Sequence, residues 1–166
     1  SAADVKAQTH VFPNGLRLLV REDSRLPIVD VAAVIGGGLL AETEGQAGIS
    51  KLTADLLTRG TSRLNATELA ELLERRAATM SSFSGRTTYG LTASGMSEDF
   101  PLMMNTLAEC LLDSQFPEDE LEKQRTLQLA AIRQSMEQPM NHARDAIQTT
   151  FFPGHPYSFS TLGDSN

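Results

Sequence analysis

Apolar residues along the chain change their spacing several times, and each change marks an element. Leu16, Leu18 and Val20 alternate with Arg17 and Leu19, and with Thr9 to Pro13 they flank Asn14-Gly15. That pair is the strongest short hairpin signal, so two strands joined by a tight turn are predicted. Ile28 to Ile35 is apolar and β-branched apart from Asp30, which predicts a strand covered on both faces. It runs into Gly36-Gly37-Gly38, which lacks the Lys-Ser/Thr of a P-loop and the glycine spacing of a dinucleotide site, and reads as a flexible strand exit.

Helical spacing follows. Ile49, Leu52, Leu56 and Leu57 form one stripe of a helix from Ala47 to Arg59. A second helix opens at Asn65, with Glu68 three residues on as a capping box, and continues through Leu69, Leu72, Leu73, Ala77 and Met80. Phe83, Thr87, Tyr89, Leu91 and Ala93 then alternate as one strand. Ser97-Glu98-Asp99 predicts the cap of a third helix ending near Ser114. Phe116-Pro117 and the acids after it start a long fourth helix that Pro139 stops near Gln138, and a fifth spans Asn141 to Phe152. No internal repeat or low-complexity linker interrupts the chain.

The segment from Gly48 to Thr61 carries the most specific pattern. It closely resembles the pitrilysin/insulinase (inverzincin) peptidase segment that bears the inverted zinc motif His-x-x-Glu-His, on a helix with a Gly-Ile-Ser-like start and a Gly-Thr end. In that resemblance the first zinc-binding His falls on Lys51, the general-base Glu on Ala54 and the second His on Asp55. Residues four apart share a helix face, so two histidines there converge on one ion, and the Glu before the second reaches a metal-bound water. Here an ammonium, a methyl and one carboxylate replace them, and Lys51 and Asp55 are spaced for an i,i+4 ion pair.

The family's third ligand, a Glu on a later helix, falls by resemblance on Ala130 or Ala131, within Glu122 to Arg133. No Asp or Glu lies between Lys123 and Met136, so a small shift of alignment does not restore it. Further ordered matches are Phe12-Pro13-Asn14-Gly15-Leu16, Phe116-Pro117, Ile132-Arg133 and His155-Pro156-Tyr157. The resemblance implies an α+β fold, an antiparallel or mixed sheet with helices on one side, like one half-unit of the family's clamshell. It also implies that residues 1–166 form a single, truncated N-terminal peptidase-like domain of a longer protein.

The function so implied is that of a catalytically silent subunit with no metal of its own. It would pair with an active homologous zinc-peptidase subunit or a second domain, and help to enclose a peptide substrate. Two alternatives stay open. One is an inert domain of a longer active zinc endopeptidase whose metal site lies outside this chain. The other is a scaffold subunit that binds no peptide. By resemblance alone, the expected compartment is the bacterial periplasm.

Composition narrows the picture further. At 166 residues the chain has room for one core, burying roughly 70% of its unfolded surface. A net charge of −7 with dispersed acids argues against a nucleic-acid partner, which needs a basic stripe. Cys110 is the only cysteine, lies in an apolar helical pattern, and reads as a core thiol. No stretch approaches the roughly 20 apolar residues of a membrane span. No signal peptide is recognised, and Ser1-Ala2-Ala3 suits the start of a processed or trimmed chain.

Each histidine has a structural reading. His10 has no ligand neighbour, His142 and Asp145 are i,i+3 on a helix, a spacing that can support a ligand pair but more often makes a hydrogen bond, and His155 marks a turn. The nucleophile elbow Gly-x-Ser-x-Gly is absent, which leaves serine hydrolysis little weight.

Overall fold

The computed structural model describes residues 7–164, so the Ser1-Ala2-Ala3 start and the final Ser165-Asn166 lie outside the described residues. Five strands and five helices follow in the order β1 (Gln8–Val11), β2 (Arg17–Val20), β3 (Ile28–Gly36), α1 (Ile49–Leu56), α2 (Ala66–Glu74), β4 (Thr79–Ser84), β5 (Thr88–Met96), α3 (Phe100–Leu112), α4 (Glu118–Met136) and α5 (Pro139–Phe151). The class is α+β.

Strands β1 and β2 form a two-stranded antiparallel ribbon of their own, and the main sheet is antiparallel in the order β3-β5-β4. Asn14 shapes the ribbon's turn by accepting the Leu16 N–H on its side chain at 3.1 Å. Helices α1 and α3 pack on β5, and α1 and α2 on β4. Alternation along β5 turns Leu91 and Ala93 towards the helices and leaves Thr92 exposed. These two residues form the core with Leu57, Leu69, Leu107 and Cys110, backed by Val31, Ala33 and Met80. Burial pushes the Cys110 thiol up to about 11.

Several expectations change. Strand β3 is covered on one face only, because Ile28 and Val34 remain exposed while Val31 and Ala33 meet the core. The second helix stops at Glu74: Ala77 adopts a left-handed φ of 48°, and the Ala78 N–H returns to the Leu73 carbonyl, closing the helix end. Met80 therefore belongs to β4, and the single predicted strand is a β4–β5 hairpin turning after Ser84. Helix α1 is also shorter than predicted, ending at Leu56. The Asp99 carboxylate takes a salt bridge from Arg76 at 3.1 Å instead of capping α3.

Gly36-Gly37-Gly38 is a packed corner and not a flexible exit. Gly37 and Leu39 donate their N–H groups to Thr87 and Gly85 of the hairpin turn, at 2.9 and 3.2 Å. A Cβ on Gly38, at φ +65°, would lie 2.4 Å from the Gly85 carbonyl oxygen.

The Gly-Thr that follows α1 ties it to α3. Thr61, nearly buried, donates its hydroxyl to Glu109 at 2.7 Å, and Arg63 adds a salt bridge to the same carboxylate at 2.7 Å. The hydrogen bond from Arg63, then that from Thr61, holds the Glu109 carboxyl below the usual carboxylate range.

A depressed folded-state pKa gives stability that is complete above the unfolded value of about 4.3 and is lost as pH falls through the lower folded value. Urea midpoints measured from pH 7 downward are thus expected to fall less steeply in acid for Glu109→Gln than for the parent chain. The predicted capping box at Asn65 is formed, with Asn65 accepting from the Thr67 and Glu68 N–H groups and Glu68 accepting from the Asn65 N–H. Asn65→Ala should cost about 1 kcal/mol in the same assay.

Candidate functional site

Helix α1 is set in place at its N-terminus. Gly48 precedes it with φ +91°, and Glu42, only 5% exposed, accepts the Gly48 N–H at 2.8 Å and the Ser50 N–H at 2.9 Å. The carboxylate thus satisfies two donors near the positive end of the helix. From α4, Gln128 donates its side-chain amide to the Gly48 carbonyl at 3.0 Å and to the Leu162 carbonyl at 2.8 Å. A Cβ on Gly48 would stand 2.7 Å from the Leu162 carbonyl oxygen and 2.8 Å from that amide nitrogen. Three parts of the chain meet where only a hydrogen fits.

Held this way, α1 presents Lys51 and Asp55 on one face beside β4. They form the expected i,i+4 ion pair through Asp55 Oδ2, while Ser82 of β4 donates its hydroxyl to Asp55 Oδ1 at 2.8 Å. Their side chains are 33% and 23% exposed, so this is a partly shielded pair. Ala54 is fully buried. On α4, Gln124 and Ile132 are buried and Gln128 and Ala131 half-buried along one stripe, whereas Ala130 is exposed. Of the two alanines, Ala131 shares the side that meets α1 through Gln128.

The resemblance makes this the place for zinc, and the side chains present do not fit that ion. Zinc takes neutral imidazole, thiolate or carboxylate, and a catalytic site needs three protein ligands. The positions offer an ammonium, two methyl groups and one carboxylate whose oxygens are already engaged. Among the described residues, no three His, Cys, Asp or Glu side chains converge as a metal site.

Beside the pair runs an open sheet edge. Gly85 donates to the Thr88 carbonyl across the hairpin, and the alternation of an antiparallel ladder then turns the N–H and C=O of Met80, Ser82 and Ser84 away from β5. Strand β4 pairs only with β5 among the described residues. Ser82 accordingly holds Asp55 with its side chain and faces the outer edge with its backbone.

The remaining sequence candidates lie apart from this site. His10 is exposed on β1, edge-on to Phe12 with ring centres 4.7 Å apart. His142 bonds the Met136 carbonyl at the α4–α5 junction, not Asp145. His155 accepts the Tyr157 N–H at 3.1 Å, and Arg86 lies over the Tyr157 ring, so the His-Pro-Tyr segment is a folded turn. Glu42, Ser82 and Gln128 escaped sequence reasoning. Their partners are long-range or main-chain groups, and only the glycine at 48 hinted at a crowded helix start.

Removing the Glu42 carboxylate leaves two N–H groups at a buried helix start, so Glu42→Ala should destabilise by about 1–3 kcal/mol. Gly48→Ala should also destabilise, through its left-handed φ and the missing space. Chemical denaturation with circular dichroism checks both.

Residues 17–165 match the profile of Insulinase (Peptidase family M16). An uncharacterized zinc protease of Bacillus subtilis is 25% identical over 90% of this chain and 37% of its own length. A non-peptidase homolog of Helicobacter pylori is 28% identical over 95% of this chain and 37% of its own. The fold matches a peptidase M16 inactive domain from Pseudomonas fluorescens with a TM-score of 0.89 at 20% identity, covering 96% of this chain and 39% of that one. The chain therefore spans little more than a third of the length of these relatives. Among the described residues, no helix is long and apolar enough to cross a membrane. With the family profile covering nearly all of it, and the fold in agreement, this chain belongs to the insulinase family (peptidase family M16).

Proposed function

We propose that this chain is the N-terminal domain of a catalytically silent M16 subunit, which pairs with an active zinc-bearing homologue and helps to enclose an extended peptide. The observation that carries this reading is the closed Lys51–Asp55–Ser82 contact on the helix that bears the zinc motif in active members. Ala54 has no group to deprotonate a water, and Ala131 has none to complete a metal site. The relative named a non-peptidase homolog is in keeping with such a role. What the domain contributes instead is shape. A wall that excludes water and aligns a peptide assists a reaction without supplying a reacting group. The β4 edge suits this task, because an extended peptide can add to it by main-chain hydrogen bonds.

A second reading makes the chain an inert domain of a longer, active zinc endopeptidase. It draws support from the relative named a zinc protease and from the length of the relatives beyond this domain. Metal analysis of the whole gene product separates the two. The leading reading expects no stoichiometric zinc until an active homologue is added, and stoichiometric zinc in the purified full-length subunit would sink it.

The edge itself has a direct test. Proline at position 84 removes an outward N–H without touching the ladder to β5, so the strand should survive. Ser84→Pro is expected to weaken binding of a fluorescein-labelled extended decapeptide at least about tenfold by fluorescence polarisation, because the peptide loses a main-chain partner and meets the ring. Unchanged binding would remove β4 from the peptide track.

A further inference from the structure

We propose that Lys51 anchors a main-chain carbonyl in the middle of a peptide lying along β4, as a fixed hydrogen-bond donor where active relatives would place a metal. This rests on the peptide-edge reading above. When a strand is added to a sheet edge, every second residue turns its carbonyl away from the sheet and must find another donor. The groups beside β4 are suited to supply one. Asp55 has an oxygen committed to Lys51 and the other to Ser82, so the carboxylate is held in place as a counter-ion. An ammonium carries three N–H donors. The ion pair with Asp55 occupies one, and the Lys51 side chain keeps a third of its surface open.

Position agrees with chemistry. Ser82 touches Asp55 with its hydroxyl and exposes its backbone N–H and C=O on the outer edge, so the Lys51 ammonium sits one carboxylate away from the strand that would receive the peptide. Charge selects the class of ligand. The pair is neutral as a whole, and an incoming carboxylate would lie close to Asp55, whereas an uncharged carbonyl would not be repelled. The anchor therefore takes an internal segment of an extended chain and not a free C-terminus. No bond is made or broken.

The test uses the full-length protein and a fluorescein-labelled, C-amidated decapeptide rich in threonine and valine, read by fluorescence polarisation. Lys51→Met should weaken binding about tenfold, the scale of one charge-assisted hydrogen bond, and Lys51→Arg should keep most of it. A peptide series with one carbonyl at a time replaced by methylene should contain a position that weakens binding to the parent protein and has no further effect in Lys51→Met. A merely structural lysine would give no such position.

The free-acid form of the decapeptide should bind no better than the amide, and a clear preference for it would overturn the carbonyl assignment. Circular dichroism and urea midpoints establish that each variant is folded. If Ser84→Pro lowers affinity but Lys51→Met does not, the anchor falls and the edge reading stands. If the parent protein shows no binding sensitive to Ser84→Pro, the edge reading falls and the anchor with it.

Discussion

A carboxylate that caps a helix from outside it sets the geometry of this domain. Glu42 lies six residues before Gly48, is buried, and takes two N–H groups at the entrance to α1. Had those groups been left to water, the helix start could not sit against Leu162 and α4 as closely as it does. The glycine at 48 allows the approach, and Gln128 joins the opposing carbonyls across it. The direction of α1 follows, and with it the placing of Lys51 and Asp55 beside β4. A change at this junction would be felt at the pair even though neither residue touches it.

The far end of α1 is held by different means. Thr61 and Arg63 converge on Glu109, so the helix is clamped between the Glu42 carboxylate at one end and a side-chain cluster on α3 at the other. Between these clamps Ala54 and Leu56 are buried. On its partly shielded face the helix carries an intramolecular ion pair between Lys51 and Asp55. Metal sites are costly to leave half-built, since a buried charge without its partner destabilises a fold. Here the cation is covalently part of the helix, and the local charge balances without any ion from solution.

Elements with strong local signals were legible from the sequence. The hairpin at Asn14-Gly15, the Asn65–Glu68 box and the Lys51–Asp55 spacing all describe contacts within a few residues, and each is present. The α+β class and the motif order were legible through the family resemblance. Contacts decided by tertiary structure were not. The end of α2 depends on a left-handed alanine, a conformation its residue type disfavours, so the helical spacing ran on falsely into Met80. The one-sided cover of β3 could not be told from an apolar run alone, because such a run fits either a buried or a half-exposed strand. Asp99 has the residue type and place of a cap, but its carboxylate pairs with Arg76, a partner distant in sequence.

Cys110 completes the picture from inside the core. Its sulfur is fully enclosed and burial suppresses its acidity, so the thiol form is strongly favoured at neutral pH. In the native fold the thiol is shielded from disulfide reagents and oxidants in the solvent. A thiol so sealed can react only when α3 lifts from the sheet, which makes its labelling rate a built-in clock for the breathing of the domain's interior.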